Sequence, residues 1–101
     1  MIARIWSARA TRSNADLYLK HFSHVVHPEL RQLDGYVSSN VLTRANNDVI
    51  EIQVTTIWRS LESIDAFAAP DRDAAVVAPE AVAILIDFDH RVRHYEVAVS
   101  A

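Results

Sequence analysis

His94 and Glu96 are two positions apart near the end of the chain, so on a strand they share a face. A carboxylate beside an imidazole orients the ring and raises its basicity, which is the arrangement of a general base. The same histidine would also suit a sheet face packed on a second copy, hydrogen-bonded across the interface. Trp58 ends a strand predicted to be buried, where an indole either walls a pocket for a planar ring or fills the core. Tyr18, Tyr36 and Tyr95 are phenols able to hydrogen-bond a quinol or carbonyl, and Tyr18 shares the apolar stripe of the first helix with Phe22. His21, His24 and His27 recur every third residue, which makes them neighbours on a helix. No HExxH-like pattern accompanies them, so a solvated flank is expected and no metal site; one of them could serve as a base at a pocket mouth. Asp87-Phe88-Asp89-His90 groups two carboxylates and an imidazole, and reads as a solvated loop anchored by Phe88.

Composition removes other chemistries. The 101 residues include no cysteine, so disulfides, thiolate zinc and a cysteine nucleophile are excluded. There is a single glycine, hence no phosphate-cradling loop, and no GxSxG elbow. Ten Lys and Arg against thirteen Asp and Glu leave a net charge of −3, without the basic field that nucleic acid demands. No apolar run approaches the roughly 20 residues of a membrane helix. The length suits one domain over residues 1–101. Arg4, Arg9 and Arg12 give the start some look of a transit peptide, but Ile2–Arg9 reads better as a strand, and the cytoplasm is the expected location.

The elements that must position these residues are legible from their patterns. Thr11–Asn14 supply capping side chains for a helix over about 14–26, which Pro28 interrupts. A new turn then runs to Leu33, and Gly35 stands where a helix end takes positive φ. Tyr36–Arg44 and Val49–Arg59 are strands joined by Ala45-Asn46-Asn47-Asp48 turn chemistry. Ile50, Ile52, Val54, Thr56 and Trp58 share one face of the second of these strands. Ser60 caps another helix, Pro70–Val77 and Pro79–Leu85 read as short helices, and Ile86–Asp89 as a connector. Arg91–Val99 is the last strand. The order predicts an α+β, ferredoxin-like βαββαβ protomer with a four-stranded antiparallel sheet. Its helices cover one face, and the other, with Ile57 and Val41 or Leu42, is expected to meet a second copy as a homodimer.

Met1–Trp6, Val54-Thr55-Thr56-Ile57-Trp58-Arg59-Ser60-Leu61-Glu62, Ala66–Ala68 and Val92–Val97 together resemble the antibiotic biosynthesis monooxygenase domain, of the dimeric α+β barrel superfamily. The resemblance spans nearly the whole chain. It implies a pocket between sheet and helices and a dimer, or dimeric α/β barrel, through the opposite face. Some members oxidise polycyclic phenols with dioxygen and no metal or flavin; others cleave haem, act as isomerases, or have no assigned activity. Trp58 matches the family's pocket tryptophan. Ser7 stands near the first-strand asparagine of the haem-cleaving members, and Ala74–Ala78 lack their histidine. Arg4, Arg72 and Asn40 are available for the asparagine and arginine of the quinone-forming members.

The function expected is therefore a cofactor-independent monooxygenase of a small apolar or aromatic, phenolic compound. Trp58, Tyr18, Phe22, Ser7 and Val54 would bind it, with His94 and Trp58 as the catalytic pair. A non-catalytic small-ligand or stress-related dimer is the alternative, and haem degradation the third reading.

Overall fold

A computed structural model describes all 101 residues. β1 (Ile2–Thr11) turns directly into α1 (Arg12–His21), where the Thr11 side chain accepts from the Asn14 N–H at 3.2 Å. Pro28 does not break the helix as expected. A π-helical turn over Phe22–Val26 leads into α2 (His27–Leu30), with the His27 N–H bonded to the Phe22 carbonyl. The wider turn relieves the crowding that a proline ring imposes on the preceding turn of an α-helix. It also carries Phe22 inward, where it is buried. Gly35 then takes φ +90°, and its carbonyl accepts from the Arg59 N–H at 2.8 Å.

β2 (Tyr36–Asn46) and β3 (Val49–Trp58) form the expected hairpin, with Asn47 at positive φ in its turn. α3 (Leu61–Ala68) starts from a reciprocal Ser60–Ser63 capping box. Residues 70–77 form no helix. The Asp71 side chain captures the Asp73 N–H, and Ala74 bridges to Arg91 instead. α4 (Pro79–Val82) follows and is shorter than expected. The Ile86–Asp89 connector contributes a strand, β4 (Asp87–Phe88), paired with Arg9 and Ala8. β5 (Arg93–Glu96) is shorter than the predicted last strand and pairs with Ile2–Ile5.

All pairings are antiparallel, in the order β2-β3-β1, with β4 and β5 sharing the outer edge of β1. The ferredoxin-like plan holds, with five strands where four were expected because the Ile86–Asp89 connector adds a short one. Strand alternation sends Trp6, Ala8 and Ala10 of β1 and Ile52, Val54 and Trp58 of β3 into one core under the helices. Leu30 and Ile64 close it from the helical side and are fully buried, which contributes about 1.5–3 kcal/mol each. Ile57 and Leu42 lie on the outer face; Val41, opposite Val54, lies on the inner one.

Candidate functional site

A cavity of about 60 Å³ lies between the sheet and α1. Tyr18 reaches it from α1, Phe22 and Val26 from the π turn, and Val54 and Thr56 from β3. Trp6 and Arg4 rise from β1, Phe67 descends from α3, and Val76–Ala78 form the side wall. Of the five residues expected around a substrate, Tyr18, Phe22 and Val54 thus meet at one place. Trp58 does not line it. Its ring is fully buried, its Nε1 donates to Thr56 Oγ1 at 2.8 Å, and Tyr36 packs edge-on against it at 5.6 Å. The indole at the cavity is Trp6, tilted against Tyr18 at 5.7 Å. Ser7 points to the outer face, into a polar groove with Arg9, Glu51 and Gln53.

A dry cavity of about 150 Å³ accommodates benzene, so a ring enters this one only by displacing a wall. Val76–Ala78 is the wall without helix or strand structure, and Val76 is half exposed. Burial raises the Tyr18 hydroxyl well above the ordinary phenol range, so Tyr18 acts here as a neutral hydrogen-bonding group.

Arg4 is the polar centre of the site. Only 4 % of it is exposed, and it lies in the wall of the cavity. Nη1 donates to the Arg72 carbonyl at 2.6 Å and contacts His94 Nε2 at 2.9 Å; Nη2 donates to the Ala74 carbonyl at 2.8 Å. The Phe67 ring covers the guanidinium at 5.7 Å. Arg4 was one of three basic or amide candidates in the sequence. Asn40, opposite Thr55, is exposed on the outer face, and Arg72 is paired with Asp65 at 2.8 Å. The sequence offered Arg4 without choosing it; the signal that could have chosen it is a single arginine in a period-two run with Trp6, Ala8 and Ala10, since a charge on an inward face needs a reason.

His94 stands behind Arg4 on the inner face rather than on an interface. Its expected partner was Glu96, but the carboxylate that meets Nδ1 is Asp73, at 3.2 Å. An arginine only donates, so Nε2 accepts from Arg4, the ring is the neutral Nδ1–H tautomer, and Nδ1–H donates to Asp73. His94 therefore holds Arg4 in place, and its lone pair is already engaged. Burial, and then the Arg4 charge, push its pKa below the usual 6.5. With the folded value depressed, the unfolded chain binds more protons just below 6.5, so stability is full above that pH and is lost as pH falls. Thermal unfolding should accordingly show a lower Tm at about pH 5 than at about pH 7, and His94→Gln should flatten that difference. An unchanged slope in the variant would reassign the titration to another group.

His21 is the one imidazole in the cavity lining; His24 is exposed, and His27 stacks on Phe22 at 6.2 Å. No three His, Asp or Glu side chains gather as a metal site. In the Asp87–His90 segment, Asp87 pairs with Arg9 and Phe88 packs 6.3 Å from Trp6. Tyr95 lies on the outer face beside Ala3.

No family model matches the sequence, and no curated protein matches it. Solved structures do. An antibiotic biosynthesis monooxygenase-type protein of Bacillus cereus superposes with a TM-score of 0.69 at 16% identity, covering 100% of this chain and 94% of the other. The fold is that of the antibiotic biosynthesis monooxygenases. The monooxygenase from the gene ActVA-Orf6 of Streptomyces coelicolor, in complex with nanaomycin D, shares the monooxygenase-type fold. Its TM-score is 0.60 at 11% identity, over 99% of this chain and 91% of that one. The heme-degrader MhuD of Mycobacterium tuberculosis, with two hemes bound, matches with a TM-score of 0.63 at 22% identity, over 100% and 99% of the two chains. At such identities the monooxygenase-type likeness is one of fold, which hosts more than one chemistry.

Proposed function

We propose that this protein binds a small aromatic phenol or quinol in the cavity under α1 and oxidises it with dioxygen. The observation that supports this reading most is a buried arginine in the wall of a largely apolar cavity rich in aromatic side chains. Trp6, Tyr18 and Phe22 offer surfaces for a planar ring. Arg4 anchors an anionic group of the ligand from the sheet side. His21, on the helical side, receives the phenolic proton, because His94 has no lone pair to spare. The electron-rich phenolate then reduces dioxygen: one oxygen atom becomes the carbonyl at an anthrone-type CH₂ or at the ring C–H para to the phenol, and the other leaves as water with the two hydrogens removed. The protein supplies placement, proton transfer and exclusion of water. That a monooxygenase of the same fold binds nanaomycin D is in keeping with this.

An oxygen electrode with dihydroxynaphthalenes and anthrones tests it. Uptake should exceed the buffer rate, and His21→Ala should cut kcat by about 10²-fold. No acceleration across the panel would sink the oxygenase and leave the non-catalytic binding protein. Haem is a poorer fit: His21 faces the cavity from α1, no histidine occurs in residues 74–78, and the cavity of about 60 Å³ is far below porphyrin size. In the same proposal two copies pack sheet to sheet, burying Ile5, Ile57, Leu42 and Tyr95; the last two are each half exposed. Sedimentation should therefore report twice the chain mass.

A further inference from the structure

Five arginines of this chain, Arg9, Arg44, Arg59, Arg72 and Arg91, pair with carboxylates at its surface. Arg4 is the buried one, and no carboxylate touches it. Its protein partners are two carbonyls and an imidazole, all neutral, and the nearest acid, Asp73, is bound to the far side of that imidazole. A buried charge without a counter-charge is costly, and an anionic ligand would offset that cost.

The donors identify the anion. Both Nη1 hydrogens and one on Nη2 are used within the protein. The Nε–H and one hydrogen on Nη2 have no protein partner. No fully buried side-chain nitrogen or oxygen lacks a partner, so the unpartnered Nε retains some exposure, and Arg4 lines the cavity. Two parallel N–H groups match the two oxygens of a planar carboxylate. A tetrahedral anion such as phosphate would bring further oxygens and a second charge into a lining that is mostly apolar.

We infer that the cavity is a site for aromatic monocarboxylates, with the carboxylate on the Nε–Nη2 edge of Arg4 and the ring against Trp6 and Tyr18. This rests on the cavity being the ligand site, as proposed above, but concerns binding alone. Calorimetric titration of the wild-type chain with hydroxybenzoates and 1-naphthoate, each beside its carboxamide, tests it directly. The carboxylates should bind at least about tenfold more tightly than the carboxamides. Arg4→Lys, which keeps the charge but loses the paired donors, should cut carboxylate affinity about tenfold and narrow the gap between each carboxylate and its carboxamide. Equal affinity within each pair, or no binding by any carboxylate, would overturn the inference, and that wild-type comparison decides even if the variant fails to fold. Carboxylate binding without oxygen uptake would overturn the oxygenase alone. Oxygen uptake from phenols with no preference for a carboxylate would do the reverse.

Discussion

Trp58→Ala should cost about 3–5 kcal/mol of stability, a large part of what a domain of this size possesses. The ring is fully buried, it packs on Tyr36 and Phe67, and its N–H has a partner in Thr56. Removing it opens a void at the end of β3 and strands the Thr56 hydroxyl's neighbourhood in apolar surroundings. Urea titration should show the midpoint falling steeply, with the folded fraction at room temperature visibly reduced. Trp58→Phe should retain the fold with a smaller loss. The contrasting outcome is a Trp58→Ala protein as stable as the parent but unable to process a ligand; it would make this indole a wall of the site. The opposite pattern is expected of Trp6, whose indole meets both the cavity and Tyr18.

Gly35→Ala should be nearly as damaging. Gly35 adopts φ +90°, which costs an L-residue about 1–2 kcal/mol. An added Cβ would also clash with the Ser63 Cβ and come within 2.7 Å of its Oγ. Ser63 is locked in the α3 cap, where its Oγ donates to the Ser60 carbonyl at 2.7 Å, so it cannot move aside freely. Overpacking of that kind adds about 1–3 kcal/mol, for about 2–5 in all. Chemical denaturation of Gly35→Ala, Ser63→Gly and the double variant separates the two contributions. The double variant should recover the steric part and retain the strain. Full additivity of the two losses would show that the close approach is unimportant.

The element order, the hairpin turn at Asn47, the Ser60 cap and the positive φ of Gly35 all follow from local signals. Each depends on a few neighbouring residues whose backbone needs are the same in any context. Alternation along β3 likewise reveals which residues point inward. The failures share a cause. Pro28 was expected to stop a helix, and a π turn absorbed it; Pro70–Val77 was expected to be helical, and pairing with residues 90–92 pulled it straight. In both, packing overrode a local preference.

The site divides the same way. Residue types and periodicity determined that Tyr18, Phe22 and Val54 face inward under the first helix, because a period of 3.6 or 2 sorts side chains by face whatever the partner. Only the tertiary structure decided that Trp6 rather than Trp58 borders the cavity, and that Arg4 meets His94, 90 positions away, with Asp73 behind it. A sequence pattern states which way a side chain points. What it meets there depends on strand register and on loops closing from the far end of the chain, and those are settled when the whole core packs at once.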